Sequence, residues 1–238
     1  MRFPERLALG VASTLLLAGC SSEAPESDAL KQPIAPEVVG YSSAEGQRIV
    51  EDQFKLAKAK LVAKGFEQVR DTHLVFITDD QAYKCHGRTF LGKWLNAMYF
   101  RECDDIVFTQ TVVDHIDTLI KPTASSTKNR RMYPKLLRAV VGHELGHVVL
   151  PEPGDFPHTR REQQANIDIE LHADCIGGQL LHEIEPNQAD WLLTSRSYFH
   201  WVATEGEEAT HGQPAERSLS LESGLDGIDC IDEYGVHP

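Results

Sequence analysis

Two histidines four residues apart, with a glutamate beside the first, stand in His143-Glu144-Leu145-Gly146-His147. On a helix, positions i and i+4 lie one turn apart on one face, so both imidazoles can reach a single ion. Glu144 then projects about 100° round from His143 and can address a water on that ion. The pattern H-E-x-x-H arises by accident often enough that its surroundings must carry the argument. Its flanks are uncharged from Ala139 to Gly142 and from Val148 to Pro151, as a motif on a buried helix requires. Downstream, Glu170-Leu171-His172-Ala173-Asp174-Cys175 places Glu170 and Asp174 again at i and i+4. One helical face there offers a carboxylate to the metal and, a turn later, a second one to orient a ligand histidine. His172 is a rival donor, but on a helix it points about 200° away from Glu170, so the two cannot face one ion. Glu170 is preferred because only its register also supplies Asp174.

Over about Val140 to Gly178 the chain resembles the gluzincin-type zinc metallopeptidases, which carry a Glu ligand after H-E-x-x-H. It is more similar still to the bacterial neutral zinc metallopeptidases with an E-L-x-A-D-C segment. The resemblance implies one Zn2+ per chain on His143, His147 and Glu170, Glu144 as general base, Asp174 supporting a ligand histidine, and a peptide or protein substrate. Thr210-His211-Gly212 with Arg217 resembles the His-Gly segment that follows in such enzymes. His211 is accordingly the first candidate to steady a developing oxyanion, and Arg217 the second. The competing functional class is a lipid-anchored zinc-binding scaffold without turnover. The presence of Glu144 favours an enzyme, because a structural zinc site needs no base and closes its fourth position.

Arg2 and Arg6 precede an apolar stretch from Leu7 to Leu17, too short to span a bilayer and shaped like a signal-peptide core. It ends in Leu17-Ala18-Gly19-Cys20, which resembles the bacterial lipobox. That resemblance implies cleavage after residue 19 and acylation of Cys20, with several chains holding the protein on a membrane where one would not. Ser21 after the cysteine resembles lipoproteins sent to the outer membrane, so the expected location is the bacterial cell envelope, at the periplasmic face of the outer membrane where the source has one. Residues 20–41 read as a Pro-containing tether, and 42–238 as a single catalytic domain. A net charge of −13 excludes a nucleic-acid binder, which needs a basic stripe to displace phosphate counterions. Without Cys20, four cysteines remain, and an exported protein pairs them. Cys85 with Cys103 and Cys175 with Cys230 are favoured, since the first pair brackets one loop-rich segment and the second ties the carboxy-terminal tail to a central helix.

The elements that must position these residues are predicted from periodicity. Val50, Phe54, Ala57 and Leu61 recur at helical spacing up to Gly65. Residues 73–78 and 105–109 read as strands, separated by a loop or partial hairpin that holds Cys85 and Cys103. The run Ile106 to Thr109 is the candidate sheet edge for a peptide substrate, with a core strand as the equal alternative. Helices are expected at 111–120, 134–150, 161–184, 187–203 and from near Pro214, with a polar basic loop at 123–131. The sum is an α+β fold, zincin-like, with a small sheet in front of a helical body that carries the H-E-x-x-H helix.

Overall fold

The structure is a computed structural model that describes residues 43–120, 127–150, 160–185 and 211–233. The chain divides into units 1–38 and 39–238, and all the described residues belong to the second. The expected signal segment, Cys20, the tether and the helix predicted at 187–203 lie outside the described residues. Among the described residues no helix is long and apolar enough to cross a membrane.

The fold is mixed α+β and mostly helical. Helix α1 (Ser43–Ala63) buries Ile49, Val50, Phe54, Ala57 and Leu61 along one stripe, and the chain leaves it at Gly65, whose φ of 101° suits glycine alone. Five strands follow: β1 (His73–Ile77), β2 (Ala82–Cys85), β3 (Arg88–Leu91), β4 (Met98–Phe100) and β5 (Asp105–Thr109). Strand β5 lies at the centre of a three-stranded sheet, parallel to β1 and antiparallel to β4. The β2–β3 hairpin turns through His86 and Gly87, both at positive φ (47° and 78°), as a two-residue type I′ turn demands. Alternation along β5 serves two cores: Ile106 and Phe108 enter the main helical core, whereas Val107 faces a smaller cluster with Ile77, Tyr83 and Leu95. The core-strand alternative for Ile106–Thr109 therefore holds, and the proposed edge role is corrected. The edge strands are β1 and β4, and β4, three residues long, is left invisible by sequence patterning because pairing with β5 alone defines it.

Helix α2 (Gln110–Ile120) leads to α3 (Thr127–Val149), α4 (Arg160–Ile184), α5 (Pro214–Leu225) and the short α6 (Cys230–Glu233). Helix α3 starts seven residues before the Pro134 expected to open it, so the end of the predicted basic loop is helical and Pro134 lies inside the helix. Proline removes one intrahelical hydrogen bond there. Tyr133, Leu136 and Leu137, all within 1% of full burial, supply the tertiary packing that outweighs this loss. Pro214 does open α5, with the Gln213 backbone N–H donating to the Glu216 carboxylate. Cys85 is bonded to Cys103, tying the hairpin to the turn after β4, and Cys175 to Cys230, tying α4 to α6.

Candidate metal centre

The site lies where α3 crosses α4, and small residues set the distance between the two backbones. A methyl group added to Gly146 would stand 2.7 Å from the Ala173 Cα, and one added to Gly142 would stand 3.0 Å from the Gly177 Cα. These positions are i and i+4 on both helices, so one glycine and alanine stripe lets the main chains approach directly beneath the motif. Leu145, Val141 and Val148 on the remaining faces of α3 are buried in the main core.

The close crossing brings His143, His147 and Glu170 together, with one ligand atom from each within 4.8 Å of the others. The two Nε2 atoms are 3.0 Å apart, His143 Nε2 is 3.3 Å from Glu170 Oε2, and His147 Nε2 is 3.5 Å from Glu170 Oε1. His143 Nδ1 donates to Asp174 Oδ1 at 2.8 Å, which leaves the Nε2 lone pair directed at the other two groups. Two imidazole nitrogens and a carboxylate then converge, and Glu170 Oε2 is buried without a hydrogen-bond partner. Such a set of opposed acceptors calls for a cation. These residues fit a metal ion on donor chemistry, spacing and the orphaned oxygen alike.

Burial opposes charge on His143, but Asp174 and Glu170 overcome it and push its pKa up to about 10. Burial brings His147 down to about 4, so it stays neutral beside its partner. Glu170 is penalised by burial, yet the facing imidazoles and Arg217 hold it well below the usual carboxylate range. Burial raises Glu144 to about 7 against the pull of His143. The Tyr99 backbone N–H bonds to the Glu144 carboxylate, so the outer edge of β4 meets the motif helix directly. Arg101, just beyond β4, donates to the carbonyls of His147 and Leu150 at 3.1 and 2.8 Å. It thereby satisfies the carboxy-terminal end of α3 and clamps β4 against it.

A cleft of about 300 Å³ opens over the cluster, lined by Ala97, Met98 and Tyr99 of the β4 segment, Arg101, Glu144, His211 and the three converging residues His143, His147 and Glu170. His211 Nε2 stands 3.9 Å from Glu170 Oε1 and lines the cleft. Arg217, the second oxyanion candidate, does not line the cleft. It is 2% exposed and turned onto Asp174. His172 is likewise outside the ligand cluster. Sequence inspection missed the glycine stripe, whose signal was the i, i+4 spacing of Gly142 and Gly146. It also missed Tyr99 and Arg101, for which no local signal exists. No protein-family model, curated protein or solved structure matches this chain.

Proposed function

We propose that this chain is a zinc-dependent peptide-bond hydrolase of the bacterial cell envelope, held at a membrane through Cys20, with a zincin-like catalytic domain. The observation that carries the proposal is the buried convergence of His143, His147 and Glu170 beside an acidic side chain, Glu144, under an open cleft. The donor set of two nitrogens and one oxygen suits zinc, and three protein donors suit a catalytic rather than a structural site. When bound, zinc supplies Lewis acidity, lowering the pKa of a water from 15.7 toward ~7 and polarising a carbonyl.

The chain's own residues do the rest. Glu144, buried and on the cleft wall, accepts a proton from the attacking water and returns it to the departing amine nitrogen. A buried carboxylate whose pKa is raised by desolvation is a stronger base than a solvated glutamate, which the first transfer uses. Ala97, Met98 and Tyr99 line the cleft, and an extended peptide would lie along them. His211, which lines the same cleft, would donate to the oxyanion.

The experiment is digestion of a peptide library by the purified chain, with and without chelator, alongside Glu144→Gln. The variant should keep its zinc and lose roughly 10²- to 10⁴-fold in rate. Cleavage by Glu144→Gln at the parent rate removes Glu144 as base, and zinc binding with no cleavage of any peptide by the parent favours the scaffold class.

A further inference from the structure

One buried cation stands behind the site and is neither a ligand nor the base. Arg217 sits on α5, and its Nε and Nη2 donate to Asp174 Oδ2 and Oδ1 at 2.7 and 2.9 Å. Its Nη2 also stands 3.4 Å from His143 Nδ1 and 3.6 Å from Glu170 Oε2. Asp174 is itself fully buried. We infer that Arg217 is a positioning residue of the metal centre, which fixes the plane of the Asp174 carboxylate and through it the tautomer and orientation of the His143 ligand. This inference rests on the metallopeptidase proposal above.

The argument is geometric. A carboxylate rotates about its terminal torsion in a broad, shallow well, so a single bond to His143 Nδ1 would leave Oδ1 free to swing away. The guanidinium grips both oxygens at once, and such a fork fixes the plane as well as the distance. With Oδ1 held on Nδ1, that nitrogen keeps its proton and Nε2 keeps its lone pair for the ion. Arg217 also neutralises Asp174, so the ligand set presents the ion with only the single charge of Glu170. A lysine at this position would carry the charge but not the fork.

Docking of α5 is held by other means. A methyl group on Gly224 would stand 2.0 Å from the Cys175 carbonyl oxygen, and one on Gly178 would stand 2.2 Å from that of Leu221, so the α4 and α5 backbones interlock. The Cys175–Cys230 disulfide ties the segment after α5 to α4 as well. A merely structural arginine would therefore be replaceable without effect on the ion.

The test is zinc and cobalt(II) affinity of the purified full chain, by chelator competition, for the parent, Arg217→Lys and Arg217→Met. Visible absorption of the cobalt form reports ligand geometry, and nitrogen NMR of the zinc form reports the His143 tautomer. Arg217→Lys should weaken zinc binding about 10- to 100-fold, with unchanged circular dichroism and an altered cobalt spectrum. Arg217→Met should weaken it further. Should Arg217→Met not fold, Arg217→Lys decides, because it leaves no buried carboxylate without a cation. Folded Arg217→Lys with parental zinc affinity, cobalt spectrum and His143 tautomer overturns the inference and leaves the function untouched. A parent chain that binds no zinc overturns the functional proposal itself.

Discussion

Gly146→Ala places one methyl group at the centre of the helix crossing, and its consequences can be worked out from distances. The new Cβ would stand 2.7 Å from the Ala173 Cα and 2.8 Å from the Ala173 carbonyl oxygen, against an ordinary contact of 3.4 Å or more. Both partners are backbone atoms that no rotamer change can move, so α3 and α4 must part locally by about 0.7 Å. Alanine gains ~1 kcal/mol over glycine in helix propensity, whereas overpacking costs ~1–3 kcal/mol, so stability falls by only about 0–2 kcal/mol. Metal binding is the sharper readout. Two ligands ride on α3 and the third on α4, and the shift exceeds the roughly 0.2 Å within which ligand distances must fall. Zinc affinity should drop at least about tenfold, or ~1.4 kcal/mol, in chelator competition. Gly142→Ala, whose methyl would stand 3.0 Å from the Gly177 Cα, should do the same to a smaller degree. Gly146→Ala with the parent's zinc affinity would refute the view that this stripe sets the ligand spacing.

Zinc binding should displace the proton that His143 holds up to about pH 10 in the metal-free protein. Affinity then rises about tenfold per pH unit between pH 7 and 10, measured with a pH-stable chelator, and calorimetry in two buffers should find at least one proton released per ion; a flat profile would contradict this. The sign also holds for the metal-free fold, where the raised His143 pKa stabilises fully below about 6.5 and fades as pH climbs through about 10. The two disulfides should differ. Separations of 18 and 55 residues correspond to stabilisation of about 3 and about 4 kcal/mol, measured by denaturation of the paired Cys→Ser variants. Cys175 and Cys230 are at most 1% exposed and Cys103 is partly exposed, so a mild reductant under native conditions should open Cys85–Cys103 first, as mass mapping of alkylated cysteines would show.

Local chemistry alone determined much of this protein. The 3.6-residue period of a helix is enough to set His143 beside His147 and Glu170 beside Asp174, because each pair shares one face whatever surrounds it. The stripe in α1, the apolar runs of β1 and β5 and Pro214 at the start of α5 are likewise properties of short segments. Tertiary structure decided what depends on partners distant in the chain. Whether β5 was edge or centre hung on β4, a three-residue strand with no pattern of its own. Pro134 was drawn inside α3 by the burial of Tyr133. Arg217, 43 residues beyond Asp174, could be assigned a face only once α5 lay on α4, and it turned inward to the carboxylate rather than outward to the cleft. A periodic pattern specifies directions around one axis, whereas the distance and angle between two axes follow from which side chains are small enough to let them meet.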